Sequence, residues 1–297
     1  MAANPPLFGA NIDPANLHDA FARARLADEH GLDLITAQDH PYNRHHLDTW
    51  TLITALATRT ERVQVGTNVI STPLRPPALL AKQAASLDVI SGGRVMLGLG
   101  AGAMWEGIMA YGGPAAAKAK PFTAFKEFLA IMRGMWDNVG HSFKFEGEVY
   151  QVRGARPGPV PAHPIPIWVG GYGPKMLHLA GEEADGVLLS NAYITKKDLP
   201  AANAHIDAGA VAVGRDPQAV RRGFNLMGHI LGGALLEAPA DSPFAGTVSD
   251  WVTELVSLYH DYGQDTFIVW PYGKHGLEQL HRFTDEIVPA VKAELGF

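Results

Sequence analysis

Short apolar runs in this chain end repeatedly in polar or glycine-rich residues, and a helical pattern follows each one. One run ends at Asp39-His40 and a second at Gly66-Thr67-Asn68-Val69. A third ends at Gly98-Leu99-Gly100-Ala101-Gly102 and a fourth at Gly170-Gly171-Tyr172-Gly173-Pro174. The runs show little period-2 alternation, as expected of strands buried on both faces. In a closed β/α barrel such strands all end on one face, where barrel enzymes place their active sites.

Eight strand–helix units can be counted. Strands are predicted at 7–12, 32–37, 63–70, 94–99, 167–170, 187–189, 221–230 and 266–270. Helices are predicted at 14–30, 49–60, 76–90, 122–136, 174–184, 201–213, 248–262 and 277–295. Gly31 stops the first helix and Pro76-Pro77 opens the third, because proline is tolerated in a first turn. The expected fold is therefore α/β, a TIM (β/α)8 barrel with insertions. An open doubly wound sheet is the rival, and the eight strands with their polar ends favour closure. Residues 104–165 are expected to form a long loop over the mouth and a small hairpin turning at Glu146-Gly147. The glycine- and proline-rich segment 231–247 is expected to act as a lid.

The chain has 297 residues, 47% of them hydrophobic. A single barrel of about 250 residues fits that length, although two smaller domains would fit it equally well. We read 1–297 as one barrel domain. Cysteine is absent, which excludes disulfides, thiolate metal sites and a cysteine nucleophile. The net charge is -6 with no basic stripe, so no nucleic-acid partner is expected. Residues 1–8 carry no basic region or apolar core, and no apolar run reaches about 18 residues. Neither a signal peptide nor a membrane span is expected, and the expected location is cytoplasmic.

Asp39-His40 is the sharpest candidate for chemistry. A histidine just past a strand end can move a proton near neutral pH. Asp39 would fix its tautomer or cap the next segment. His45, His46 and Asp48 lie nearby, but their spacing matches no metal-ligand pattern, so no metal is expected. Asn68 interrupts an apolar strand end; its amide would bond the edge of a heterocycle or its own backbone. Gly98, Gly100 and Gly102 would let backbone approach a planar ligand. Their G-x-G-x-G spacing is not the dinucleotide fingerprint. Gly170-Gly171-Tyr172-Gly173-Pro174-Lys175 can hold a phosphate on backbone N–H groups at a helix start, or it is an ordinary strand–helix turn. No nucleophile elbow and no glycosidase carboxylate pair is present.

These segments resemble the bacterial luciferase-like superfamily of flavin- and deazaflavin-dependent oxidoreductases. The resemblance rests on Asp39-His40-Pro41-Tyr42, Gly66-Thr67-Asn68, Leu74-Arg75-Pro76-Pro77, the run 87–102, Pro166-Ile167-Trp168-Val169-Gly170-Gly171 and Ala184-Asp185-Gly186. It implies a luciferase-like barrel, often a homodimer, with a non-proline cis peptide near Asn68-Val69. It places His40 and Asp39 in the catalytic position. It places Asn68, Val69, Gly100, Ala101, Gly102 and the loop Gly170, Gly171, Tyr172, Gly173, Pro174 and Lys175 against the cofactor. Luciferase carries an arginine where this chain has Ala101, which speaks against phosphate binding of its type and against light emission. The main expectation is a monooxygenase using reduced FMN and O2 on a small organic substrate, with a separate flavin or deazaflavin reductase as partner. The alternatives are hydride transfer with the deazaflavin coenzyme F420 and a non-catalytic flavin-binding protein. Tyr42, Trp105, Tyr111 and Trp270 point to an uncharged substrate.

Overall fold

A computed structural model describes residues 4–233, 235–271 and 275–297. Eight strands form the barrel: β1 (Leu7–Ile12), β2 (Leu34–Ala37), β3 (Gln64–Thr67), β4 (Val95–Gly100), β5 (Ile167–Gly170), β6 (Gly186–Ser190), β7 (Arg221–Met227) and β8 (Thr266–Trp270). Each pairs in parallel with the next along the chain. β8 returns to pair with β1, from Leu7↔Thr266 to Ala10↔Val269, and this closes the barrel. Parallel closure puts Asp39, Asn68, Gly100 and Gly170 at one mouth, as the strand ends predicted.

Outer helices follow the strands: α1 (Leu17–Glu29), α2 (Thr49–Ala57), α3 (Pro77–Ser91), α4 (Pro121–Asp137), α5 (Pro174–Glu183), α6 (Leu199–Ala212) and α7 (Val248–His260). Local chemistry sets their ends. Asn16 and Asp48 cap α1 and α2 by accepting from backbone N–H groups, and Thr247 with Asp250 forms a capping box on α7. Gly92, with φ 71°, terminates α3 in the left-handed region that favours glycine.

Four expectations need correction. The predicted strand 63–70 breaks at the cis Asn68–Val69 peptide, after which Ile70–Ser71 pairs with β4 instead. The predicted strand 221–230 stops at Met227; His229–Ile230 then pairs with Ala245–Gly246. The supposed long loop after Gly102 holds two short helices, Trp105–Ala110 and Ala115–Ala119. Alanine favours helix, and Ile108 and Ala117 give each helix a buried anchor. The last helix is not uniform: Gly276–Arg282 passes through a π turn, Phe283–Ile287, into Val288–Leu295. The hairpin appears where expected, as Phe143–Glu146 against Gln151–Ala155. Its turn is held by the Glu127 carboxylate, which accepts from the N–H groups of Glu148, Val149 and Tyr150.

Two apolar cores result. The larger lies between the barrel and its helices. The smaller consists of Leu34, Met96, Trp168, Leu188, Ile268 and Trp270, all strand residues, and fills the barrel interior. That interior leaves no room for side chains at some positions. A Cβ on Gly98 would overlap the carbonyl oxygen of Thr67. The two strands are also stitched there, with Thr67 Oγ1 donating to Gly98 O (2.7 Å) and accepting from Gly98 N (3.1 Å). Gly98→Ala must therefore push β3 and β4 apart and should destabilise by about 3 kcal/mol or more. Gly173, with φ -74° and nothing near its missing Cβ, should accept alanine within about 0.5 kcal/mol. Urea denaturation of both variants checks the contrast.

Candidate active site

The floor of the mouth is a layer of polar side chains sealed inside the barrel. Asn68 Nδ2 donates to Asn225 Oδ1 (2.5 Å), and Asn225 Nδ2 donates back to Asn68 Oδ1 (3.3 Å). Asn225 also donates to the Leu189 carbonyl (2.9 Å) and accepts from Trp270 Nε1 (2.9 Å). Thr36 Oγ1 accepts from Asn68 Nδ2 (3.4 Å) and donates to Asn11 Oδ1 (3.2 Å). Five strands and the end of β3 thus supply one network, as buried polar groups require. Asn68 spends its amide on Asn225, so the group expected to meet a heterocycle is part of this floor. Asn11, Thr36 and Asn225 were not singled out from the sequence. Their signal was there: asparagine inside otherwise apolar strand runs.

Val69 sits at the rim between two strand ends. A Cβ on Gly100 would lie 2.6 Å from Val69 Cγ2, and one on Gly170 would lie 2.9 Å from Cγ1. These glycines are required by the valine, whereas the sequence suggested a ligand as the reason. Gly102, with φ 86°, turns the chain beside Pro73 and Ile108, and Ala101 packs against the outer core.

Asp39 and His40 are adjacent but face different partners. Asp39 is buried, accepts from Ser71 N (3.1 Å) and pairs with Arg75 Nη2 (2.8 Å). Arg75 also holds Asp48 Oδ2 at 2.6 Å, so one guanidinium ties the loops after β2 and β3 together. His40 is half-buried, and its Nδ1 lies 2.6 Å from the Tyr42 hydroxyl. Tyr42, not Asp39, is therefore the group that sets the imidazole. Burial pushes His40 below its ordinary value, His46 pushes the same way, and Asp39 opposes. Burial, with Asp39 and Tyr193, pushes the Tyr42 phenol up. Both groups are neutral at pH 7.

A cavity of about 360 Å³ is lined by Asn11, Asp13, Gln38, His45, His46 and Trp270 among others; its His46 ring lies 6.4 Å from that of His40. Asn43 Nδ2 donates to His46 Nε2 (2.9 Å), and His46 Nδ1 is buried with no hydrogen-bond partner among the described residues. A second cavity, about 460 Å³, lies at the opposite end of the barrel beside Arg222 and Asp265 and is remote from these groups.

The loop after β5 carries unused donors. No hydrogen bond within the described residues uses the N–H groups of Gly171, Tyr172, Gly173 or Lys175. They precede or open α5, whose positive dipole end attracts anions. Tyr172 and Lys175 are exposed, and the Tyr172 ring lies 5.4 Å from that of Tyr193.

A family model for luciferase-like monooxygenases matches residues 3–230, and the chain belongs to that family of flavin- and deazaflavin-dependent oxidoreductases. A 5,10-methylenetetrahydromethanopterin reductase from Methanolobus tindarius is 36% identical over 197 residues, 66% of this chain and 57% of its own. An F420-dependent glucose-6-phosphate dehydrogenase from Gordonia bronchialis is 31% identical over 226 residues, 72% of this chain and 65% of its own. The chain thus spans less than two thirds of each relative. An F420-dependent secondary alcohol dehydrogenase, solved with an F420-acetone adduct, shares the fold with TM-score 0.80 and 19% identity, covering 97% of this chain and 99% of its own.

The polar floor has a measurable worth. Asn225→Leu would remove the hydrogen bonds to the Leu189 carbonyl and the Asn68 amide. With orphaned buried groups costing about 1–3 kcal/mol each, partly relieved by rearrangement, we expect a loss of about 3 kcal/mol by urea denaturation. A loss below about 1 kcal/mol would show that the network is dispensable to the barrel.

Proposed function

We propose that this chain is a coenzyme F420-dependent oxidoreductase that moves hydride to or from a small organic substrate. The observation that carries the reading is the 2.6 Å contact between His40 Nδ1 and the Tyr42 hydroxyl in the loop after β2. The relatives add to it: those at 31–36% identity are named as a reductase and an F420-dependent dehydrogenase. That favours hydride transfer over the oxygen insertion expected from the sequence.

The mouth fits a phosphorylated planar cofactor. The free N–H groups of 171–173 and 175 supply donors for a phosphate, and Lys175 adds a charge. Val69, held between Gly100 and Gly170, offers an apolar surface for a ring. A bound deazaflavin would accept or donate the hydride.

His40 handles the proton. In the tautomer with Nδ1–H donating to the Tyr42 hydroxyl, Nε2 keeps a lone pair that can take up a proton. The Nδ1–tyrosine contact holds the ring in place and couples it to a second exchangeable proton. In the oxidising direction the neutral imidazole–phenol pair accepts the proton that leaves the substrate's O–H or N–H. In the reducing direction the protonated pair returns it. Arg75 and Asp39 do not touch the substrate in this reading; they hold the loops that carry His40.

Two measurements test it. Fluorescence titration should show F420 binding at least about tenfold tighter than FMN, about 1.4 kcal/mol. Tighter FMN binding would overturn the cofactor assignment. In the oxidising direction kcat/KM should fall as pH falls, because protonated His40 cannot accept a proton. The lowered value of His40 puts that limb below the ordinary histidine value of 6.5. His40→Ala should abolish the limb and lower kcat about 10²-fold while sparing cofactor affinity. An unchanged rate would make His40 structural.

A further inference from the structure

The first and last helices meet on the outer surface, and three side chains of metal-ligating type converge there. His30 is the C-cap of α1, and His281 and Asp285 come from the last helix. His30 Nδ1 lies 2.6 Å from Asp285 Oδ1, and His281 Nδ1 lies 3.8 Å from Asp285 Oδ2. One ligand atom from each of the three residues falls within 4.8 Å of the other two. The imidazoles meet edge to face, with centroids 5.2 Å apart.

Two further features favour a cation here. Asp285 belongs to the π turn Phe283–Ile287. Such a turn inserts a residue into the helical repeat and re-aims the side chains it carries, often at functional sites. His30 also stands at the carbonyl end of α1, whose partial negative charge attracts a cation. The Arg62 guanidinium already donates to the Asp28 carbonyl at that end, so a cation there adds to an interaction the helix end makes.

We propose that His30, His281 and Asp285 bind one first-row divalent transition-metal ion, Zn²⁺ or a close analogue, with water completing the coordination. Two imidazole nitrogens and a carboxylate oxygen suit zinc, nickel or cobalt, whereas calcium and magnesium prefer all-oxygen sets. Metal–ligand bonds of about 2.0–2.1 Å in a tetrahedron place ligand atoms about 3.3 Å apart. His30 Nδ1 and Asp285 Oδ1, now hydrogen-bonded at 2.6 Å, would open toward that spacing, and His281 Nδ1, 3.8 Å from the other oxygen, Oδ2, would close toward it. The three side chains are 33%, 48% and 51% exposed and can rotate into place without disturbing the core. The ion would clasp α1 to the last helix across the seam where β1 pairs with β8. Its role is to brace the closure, since a ligand bound only by the folded state stabilises that state.

The experiment is calorimetric titration of chelator-treated full-length protein with Zn²⁺, with Co²⁺ absorption as a second probe of the ligand set. One saturable equivalent is expected, and the thermal midpoint should rise by about 3–5 °C when free metal exceeds Kd a hundredfold. His281→Ala and Asp285→Asn should each remove the binding and the shift, while His45→Ala retains both. His281→Gln, which keeps side-chain bulk, should match His281→Ala and so separates lost ligation from lost packing. Absence of saturable binding, or an equivalent that survives both His281→Ala and Asp285→Asn, overturns the proposal.

Discussion

An amide sealed inside a barrel has no water to bond, so its donors and acceptors must all be met by neighbouring strands. The Asn68–Asn225 pair meets that requirement across the barrel, joining the end of β3 to β7. Trp270, the Leu189 carbonyl and Thr36 complete it. Any change in strand stagger would break several of these bonds at once, each costly to leave unmade. The floor therefore fixes the register of the strand ends above it, and with it the relative positions of Val69, Gly100 and Gly170. A rigid floor is what a planar cofactor needs beneath it.

Charge at the mouth is disposed of before it reaches the cavity. Arg75 is shared between Asp39, which is buried, and Asp48, which is half-exposed. Removing Arg75 would strand a buried carboxylate, at a cost of about 3–5 kcal/mol for a pair of this kind. With those charges paired, His40 and Tyr42 are left to each other, burial lowering the imidazole and raising the phenol. Proton transfer near neutral pH suits such a pair better than an exposed ion pair would.

The seam between β1 and β8 solves a different problem. Closure requires the first and last strands of a long chain to find each other, and the loop-closure cost of that contact is repaid only by what forms there. β1 pairs with β8, the Phe8 ring packs against Phe267 and Phe283, and His30 bonds Asp285, 255 positions along the chain. Apolar packing inside and a polar clasp outside thus reinforce the same seam.

The alternation of strand and helix, the count of eight units, the common face of the polar strand ends and the hairpin around Glu146-Gly147 were all legible in the sequence. Each is a local property, written in apolar periodicity and in glycine and proline punctuation. The resemblance also located the cis peptide at Asn68–Val69. What residues do for one another depended on which strands became neighbours. Asp39 answers Arg75, 36 positions away. Gly100 and Gly170 are glycines because Val69 fills the space between them. Asn225 became the hub of the floor, and His30 joined His281 and Asp285, only when the barrel closed. Pattern along a chain carries the elements; partners distant in sequence are decided by the stagger and closure of the sheet, which no local window contains.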